Sequence, residues 1–252
     1  MAHLMMTGRR EGSSSNLSIH NNISVSESSA PLVSWSSRHF EYHGEKIHNL
    51  NFSIHCGEIL GVLGVEGNGQ NALLEALWQE KQEHHKPFVF LPSDRLKNGL
   101  FAKWPLWKDY ALSSMAGLFS FRFIRRQEFL KSALKLMESN DVRPPQPGLM
   151  LQSFSGGNQQ KYVVARELQK NFQLMVAPHP TRGVDIGAIR LIHQHFIALK
   201  AQKKSVLLIT ADLDEALNIC DRIVVLYKGN IQLEQTRENF NVEQIGRAMG
   251  GL

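Results

Sequence analysis

Only two of the 252 residues are cysteine, Cys56 and Cys220. Two thiols are too few to cage a zinc ion or to build a disulfide framework, so both read as small buried side chains of a chain kept in a reducing compartment. No apolar run approaches the roughly 20 residues that a membrane span requires. The opening Met1-Ala2-His3-Leu4-Met5-Met6 lacks the charged region and apolar core of a secretory signal, and the chain is expected to stay in the cytosol. Glycine (19) and proline (9) are near ordinary usage, which excludes collagen-like and proline-rich disordered classes. Positive charge is in mild excess, net +5, but lysine and arginine are spread along the whole length. Spread charge reads as a solvated surface, and no nucleic-acid partner is expected. With 42% hydrophobic residues, the chain can bury the core of one large or two small domains.

What is present changes along the chain. Residues 12–30 carry Ser13, Ser14, Ser15, Ser18, Ser24, Ser26, Ser28 and Ser29 with hardly any large apolar residue, so 1–30 reads as a tether or interdomain linker. From Pro31 short apolar strands are predicted at 59–63, 88–91, 174–177 and 206–210. The last two are apolar at nearly every position, as strands covered on both faces of a parallel sheet are. Helical patterns at 160–170 and 188–201 alternate with them, which makes a layered α/β fold. The segment 103–140 interrupts the alternation with helix-like, aromatic-rich sequence (Trp104, Trp107, Tyr110, Phe119, Phe121, Phe123) and reads as a helical insertion. Near the end, Lys228-Gly229-Asn230 between strands 222–227 and 231–234 is a hairpin signal.

Strand 59–63 runs into Gly64-Val65-Glu66-Gly67-Asn68-Gly69-Gln70-Asn71 and then a helix starting near Ala72. This glycine spacing is that of a phosphate-binding loop, G-x-x-x-x-G-K-S/T, in which backbone amides and a helix N-terminus surround anionic phosphates. Gln70 stands where lysine reaches the terminal phosphates, and Asn71 where a hydroxyl ligates magnesium. A hydrogen bond from a neutral amide contributes about 1 kcal/mol net, against roughly 1.5 to 3 kcal/mol for one involving a charge, so any nucleotide is held weakly. A rival reading takes 67–72 as the G-x-G-x-x-A fingerprint of a dinucleotide fold, with Asp94 as the ribose partner. A third takes the glycines as a steric turn only.

A second anion-facing element follows, Phe154-Ser155-Gly156-Gly157-Asn158-Gln159-Gln160-Lys161, where a serine and two glycines open a helix and present free amides. One anion site does not need two such elements from one chain. This stretch closely resembles the signature motif of ATP-binding cassette ATPases, usually L-S-G-G-Q. The resemblance extends over 31–252: 174–181 is similar to the Walker B strand, Arg182-Gly183-Val184-Asp185 to the D-loop, 209–216 to the switch region, and Phe40 or Tyr42 to the aromatic that stacks on adenine. The subfamily most resembled is the second cassette of fused bacterial sugar and nucleoside importer ATPases. It is matched by 64–70, Asn158-Gln159-Gln160-Lys161, 180–185 and Pro92-Ser93-Asp94-Arg95, which is similar to its P-E-D-R element. Met6-Thr7-Gly8-Arg9 resembles the tail of a first cassette.

The resemblance implies an ABC-type P-loop fold, mainly a parallel sheet with antiparallel β elements, and a helical subdomain at about 100–150. It implies ATP at Tyr42, Gly64, Val65, Glu66, Gly67, Asn68, Gly69, Gln70, Asn71 and Ala72. The trans-acting signature would be Ser155, Gly156, Gly157, Asn158 and Gln159, with Asp185 in the D-loop. Expected partners are a second cassette and membrane permease subunits at the cytoplasmic membrane face, with a solute-binding protein acting indirectly. Against the family pattern, Pro178 and His179 replace the magnesium aspartate and the water-polarising glutamate, and Ala211 replaces the switch histidine. No catalytic group is intact; His179 is a weak candidate base. Such groups supply nearly all of the positioning and charge compensation in phosphoryl transfer. The chain's own site is therefore expected to be nearly dead and without metal, magnesium being confined to the partner's site. His84-His85 reads as a solvated loop, and Asp212, Asp214 and Glu215 as a helix N-terminal acidic cluster. The alternative function is a regulatory or nucleic-acid-associated cassette that binds ATP without moving solute.

Overall fold

The computed structural model describes residues 30–114 and 126–252; the serine-rich stretch up to residue 29, and Phe119, Phe121 and Phe123, lie outside the described residues. Two antiparallel strands come first, β1 (Val33–Tyr42) and β2 (Glu45–Ile54). They are followed by β3 (Ile59–Leu63), α1 (Gln70–Glu83), β4 (Phe88–Phe90), α2 (Leu106–Ser114), α3 (Arg126–Ser139), α4 (Gly156–Leu168), β5 (Leu174–Pro178), α5 (Ile186–Ala201), β6 (Ser205–Thr210), α6 (Leu213–Ile219), β7 (Arg222–Tyr227), β8 (Asn230–Thr236) and α7 (Val242–Gly250). A π-helical turn, Arg95–Gly99, follows β4. The six later strands form one sheet in the order β4-β5-β6-β3-β7-β8, parallel throughout except that β8 runs antiparallel to β7.

Strands β3, β5 and β6 are buried at every position, which is why their sequences are continuously apolar. Alternate residues feed two cores. Leu60 and Val62 pack with Leu73 and Leu77 of α1 and with the β1–β2 hairpin, while Ile59 and Leu63 join Val163 of α4 and Phe196 of α5. Each such fully buried aliphatic side chain contributes about 1.5 to 3 kcal/mol. Gly61 is required on β3 because a Cβ there would lie 2.7 Å from Sγ of buried Cys220. Cys56 departs from the sequence reading: it is only half-buried, its thiol donating to the Lys203 carbonyl at 3.1 Å. Its position in the turn before β3 places it at the rim of the sheet, not inside a core.

The aromatic-rich insertion divides by residue. Tyr110 is buried and Trp107 packs partly buried against the same core, whereas Trp104 is exposed and stacks on exposed Phe101 with ring centroids 4.5 Å apart. One buried carboxylate staples this region to α4. Asp109, 1% exposed at its side chain, accepts from Nη1 of Arg166 (2.5 Å), from the Tyr162 hydroxyl (2.7 Å) and from the Phe101 amide (3.1 Å). Burial pushes the Tyr162 phenol well above its ordinary value, with the Asp109 charge adding to it. Asp109→Ala leaves the largely buried Arg166 guanidinium with Glu167 alone, so it should cost about 3 kcal/mol of unfolding free energy, read as a lowered urea midpoint. A loss below about 1 kcal/mol would mean that the staple contributes nothing beyond an ordinary hydrogen bond.

Candidate functional site

The carboxyl ends of β3, β5 and β6 open on one edge of the sheet, where ligands of open α/β sheets bind. The turn after β3 is tight. A Cβ at Gly64 would meet the Leu226 carbonyl at 2.6 Å, and Gly67 and Gly69 have φ of +92° and +112°, the left-handed region that glycine enters without strain. Helix α1 starts at Gln70, two residues before the predicted start. The Gln70 side chain is buried and turned back into the loop: Oε1 accepts from the Asn68 amide at 3.0 Å and Nε2 donates to the Val65 carbonyl at 3.0 Å. Asn71 donates through its backbone amide (3.0 Å) and its Nδ2 (2.5 Å) to the two carboxylate oxygens of Glu45 at the start of β2. The Asn68 side-chain and backbone oxygens accept from the Lys228 and Gly229 amides of the β7–β8 turn, at 2.9 and 3.0 Å.

A cleft of about 210 Å³ sits against this loop, lined by Glu66, Gln70, Asn71, Asp94, His179 and Arg182 among others. Pro178 ends β5, and His179 follows with φ +47° while its amide donates to the Ile209 carbonyl at 2.7 Å. Burial, helped by the nearby Arg182 charge, holds the His179 imidazole below its ordinary value, so it is neutral at pH 7. Arg182 also lies 3.9 Å from Glu66, both exposed. Asp94 is engaged locally, Oδ1 accepting from the Leu96 and Lys97 amides as the cap of the π-turn; this is not the free carboxylate that the dinucleotide reading needs. The exposed Tyr42 packs edge-on against His43 at the hairpin tip, and Ala72 is fully buried under the loop.

The signature residues form a separate surface. Exposed Ser155 is the N-cap of α4, its hydroxyl accepting from the Asn158 amide (3.4 Å) and Nδ2 (2.9 Å). Helix α4 thus begins at Gly156, as the serine and two glycines imply, four residues ahead of the periodic pattern at 160–170. A Cβ on Gly156 would lie 2.5 Å from Nη2 of Arg95, and one on Gly157 would collide with the Asp185 carboxylate, which caps α5 through the Ala188 amide. Gln159 is buried, donating to the Leu151 and Phe154 carbonyls. Arg95 ties these pieces together: Nε donates to Oε1 of Gln159 and Nη1 to the Arg182 carbonyl, each at 3.3 Å. Sequence reasoning missed Glu45 altogether and noted Arg95 only as part of a motif. Of the predicted acidic cluster, Asp212 caps α6, while Glu215 turns inward, paired at 3.0 Å with Nε2 of His193, its second oxygen without a partner. His84 and His85 are exposed after α1, and among the described residues no group of three or more His, Cys, Asp or Glu side chains is placed to hold a metal.

No family model matches the chain. It is 31% identical over 229 residues to the guanosine import ATP-binding protein NupO of Bacillus subtilis, covering 82% of this chain and 45% of that protein. It is 33% identical over 228 residues to the nucleoside import ATP-binding protein NupA of Lactococcus lactis, with the same coverage of each. The chain therefore spans about half the length of the curated relatives it matches. Among solved structures it superposes on the dimeric ADP- and phosphate-bound state of an ATP-binding cassette, with a TM-score of 0.64 at 20% identity, covering 81% of this chain and 97% of that one. The chain belongs to the ATP-binding cassette family. The cassette fold accounts for the parallel sheet, its antiparallel additions and the phosphate-loop spacing.

The lowered imidazole of the cassette's His179 carries a pH dependence. The unfolded chain takes up the proton first, so the stability contributed by neutral His179 is complete above the ordinary histidine value and is lost as pH falls below it; half-buried His195 acts in the same direction. Urea titrations at pH 7.5 and 5.5 should show this loss. It should shrink in His179→Asn, since asparagine tolerates the positive φ, and an undiminished loss in that variant would assign the effect elsewhere.

Proposed function

We propose that residues 31–252 are the second nucleotide-binding domain of a bacterial nucleoside or sugar importer, with a helical subdomain at about 100–150 and the preceding residues as its tether to a first cassette. In this reading its own loop, 64–72 with Tyr42, holds nucleotide weakly at most and does not hydrolyse it. The chain's contribution is Ser155, Gly156, Gly157, Asn158 and Gln159, with Asp185 beside them, presented to ATP and magnesium held by the partner cassette. The names of the relatives support the transport role, and the dimeric cassette it resembles supports a paired arrangement. The exposed apolar group of Phe101, Trp104, Leu112 and Met150 offers permease subunits a surface at the cytoplasmic membrane face. Among the described residues no helix is long and apolar enough to cross a membrane.

One observation carries the reading: the two anion-facing helix starts differ in what occupies them. At α1 the loop donors go to Gln70 and Glu45, and the position expected for a magnesium carboxylate is Pro178, whose side chain has no oxygen, so this site does not fit the metal. At α4 the Ser155 cap stands exposed beside two glycines that keep the surface low.

In the assembled transporter, Ser155→Arg should lower ATPase activity about a hundredfold, as expected when a donor to a transferring phosphoryl group is removed. Gln70→Ala should leave it within about twofold, because a neutral amide adds little at a site that does not turn over. Equal damage from both substitutions would overturn the asymmetry.

A further inference from the structure

Two backbone donors of the phosphate loop, the Asn68 and Asn71 amides, are already in use. The Glu45 carboxylate takes the Asn71 amide, at the helix N-terminus where a phosphate oxygen would gain from the positive end of the dipole, and it takes the Asn71 side chain as well. The Gln70 side chain takes the Asn68 amide. Asn68 in turn receives the Lys228 and Gly229 amides, and the Gly229 carbonyl receives the His48 amide of β2. Gly229 packs so closely on the Lys46 carbonyl that no Cβ fits there. Hairpin, β7–β8 turn and phosphate loop are therefore one hydrogen-bonded unit, and Glu45 is half-buried between them.

We propose that the phosphate loop of this chain is a socket for its own Glu45: the carboxylate occupies the place of a phosphate, anchors the β1–β2 hairpin to α1, and excludes nucleotide until it is displaced. This rests on the reading of the chain's own site as degenerate and goes further, from weak binding to exclusion by a named group. The chemistry agrees. A carboxylate accepting from a helix-start amide makes the charge-assisted bond that a phosphate would make. A lysine at position 70 would compensate both a phosphate and a neighbouring carboxylate, whereas glutamine brings no charge to do so. Glu66 lies on the rim of the same cleft, its charge shared with Arg182 at 3.9 Å.

The test is calorimetric titration of the chain with ATP, without and then with magnesium, on the wild type, Glu45→Ala and Glu41→Ala. Glu41 lies on the same hairpin, pairs with Lys46 at 3.5 Å in solvent, and serves as the control. Glu45→Ala should bind ATP about ten- to a hundredfold more tightly than the wild type, the factor corresponding to one charge-assisted hydrogen bond, with Glu41→Ala unchanged. The same gain is expected when Glu45→Ala is added to Gln70→Lys, a background in which restored lysine brings binding into range. By NMR, exchange of the Asn71 amide should quicken in Glu45→Ala. Equal affinities with and without Glu45 in both backgrounds, or unchanged exchange at Asn71, would overturn the socket while leaving a degenerate site in place. Tight magnesium-dependent binding with turnover by the wild type would overturn both.

Discussion

Strand β3 fixes everything at the functional edge of this molecule. Its five residues are fully buried and hydrogen-bonded on both sides to parallel neighbours, from Ile59 against Val206 to Leu63 against Thr210 on one side and from Leu60 against Arg222 to Leu63 against Val225 on the other. A strand held in this way cannot shift register without exchanging Leu60 and Val62 for Ile59 and Leu63 between two different cores. Where β3 stops, at Leu63, is therefore where the glycine loop must start, and the adjoining ends of β5 and β6 deliver His179 and Asp212 to the same edge. The site's position follows from packing in the sheet interior and is independent of what the loop binds.

A second constraint is the small space at the signature. Arg95 and Asp185 press against Gly156 and Gly157 from different segments, so any side chain at either glycine would displace a charged group. Through Arg95 the π-turn after β4, helix α4 and the 182–185 turn share one guanidinium. An arginine suits this place because its planar fork can donate to two acceptors in different directions at once. The exposed face of Ser155 is thus held from behind by a network whose members are themselves packed or capped.

Much of this was legible in the sequence wherever the signal is local. Strands β3, β5 and β6 read correctly because burial on both faces leaves no polar position to confuse the period. The glycine loop was legible because its spacing matches a turn that needs the positive φ found at Gly67 and Gly69. The periodic pattern of α4 sets in four residues late since Gly156 and Gly157 have poor helix propensity, yet the first turn of a helix tolerates them when Ser155 supplies the cap. Strands β1 and β2 escaped a periodic reading: β1 is exposed or half-exposed from Ser36 onward, and the positive φ values at Ser37 and Asn49 break the alternation. Glu45 gave no signal at all, because its meaning lies in a contact with Asn71, 26 residues away.

Pro178 and His179 at the end of β5 are also explicable by what the sheet tolerates. In a parallel strand, alternate amides serve opposite neighbours. The Val176 carbonyl accepts from Leu91 on the β4 side, while the His179 amide donates to Ile209 on the β6 side. The nitrogen of residue 178 accordingly faces the β4 side, where pairing ends with the Leu91 amide, so Pro178 stands at the last position of the ladder. Two acidic side chains here would have faced Glu66, Asp94 and Glu215 without a compensating cation at position 70. A proline and a neutral imidazole avoid that repulsion. With glutamine at position 70, the proline, the neutral imidazole and the contact of Glu45 with Asn71 form one consistent charge balance at this edge.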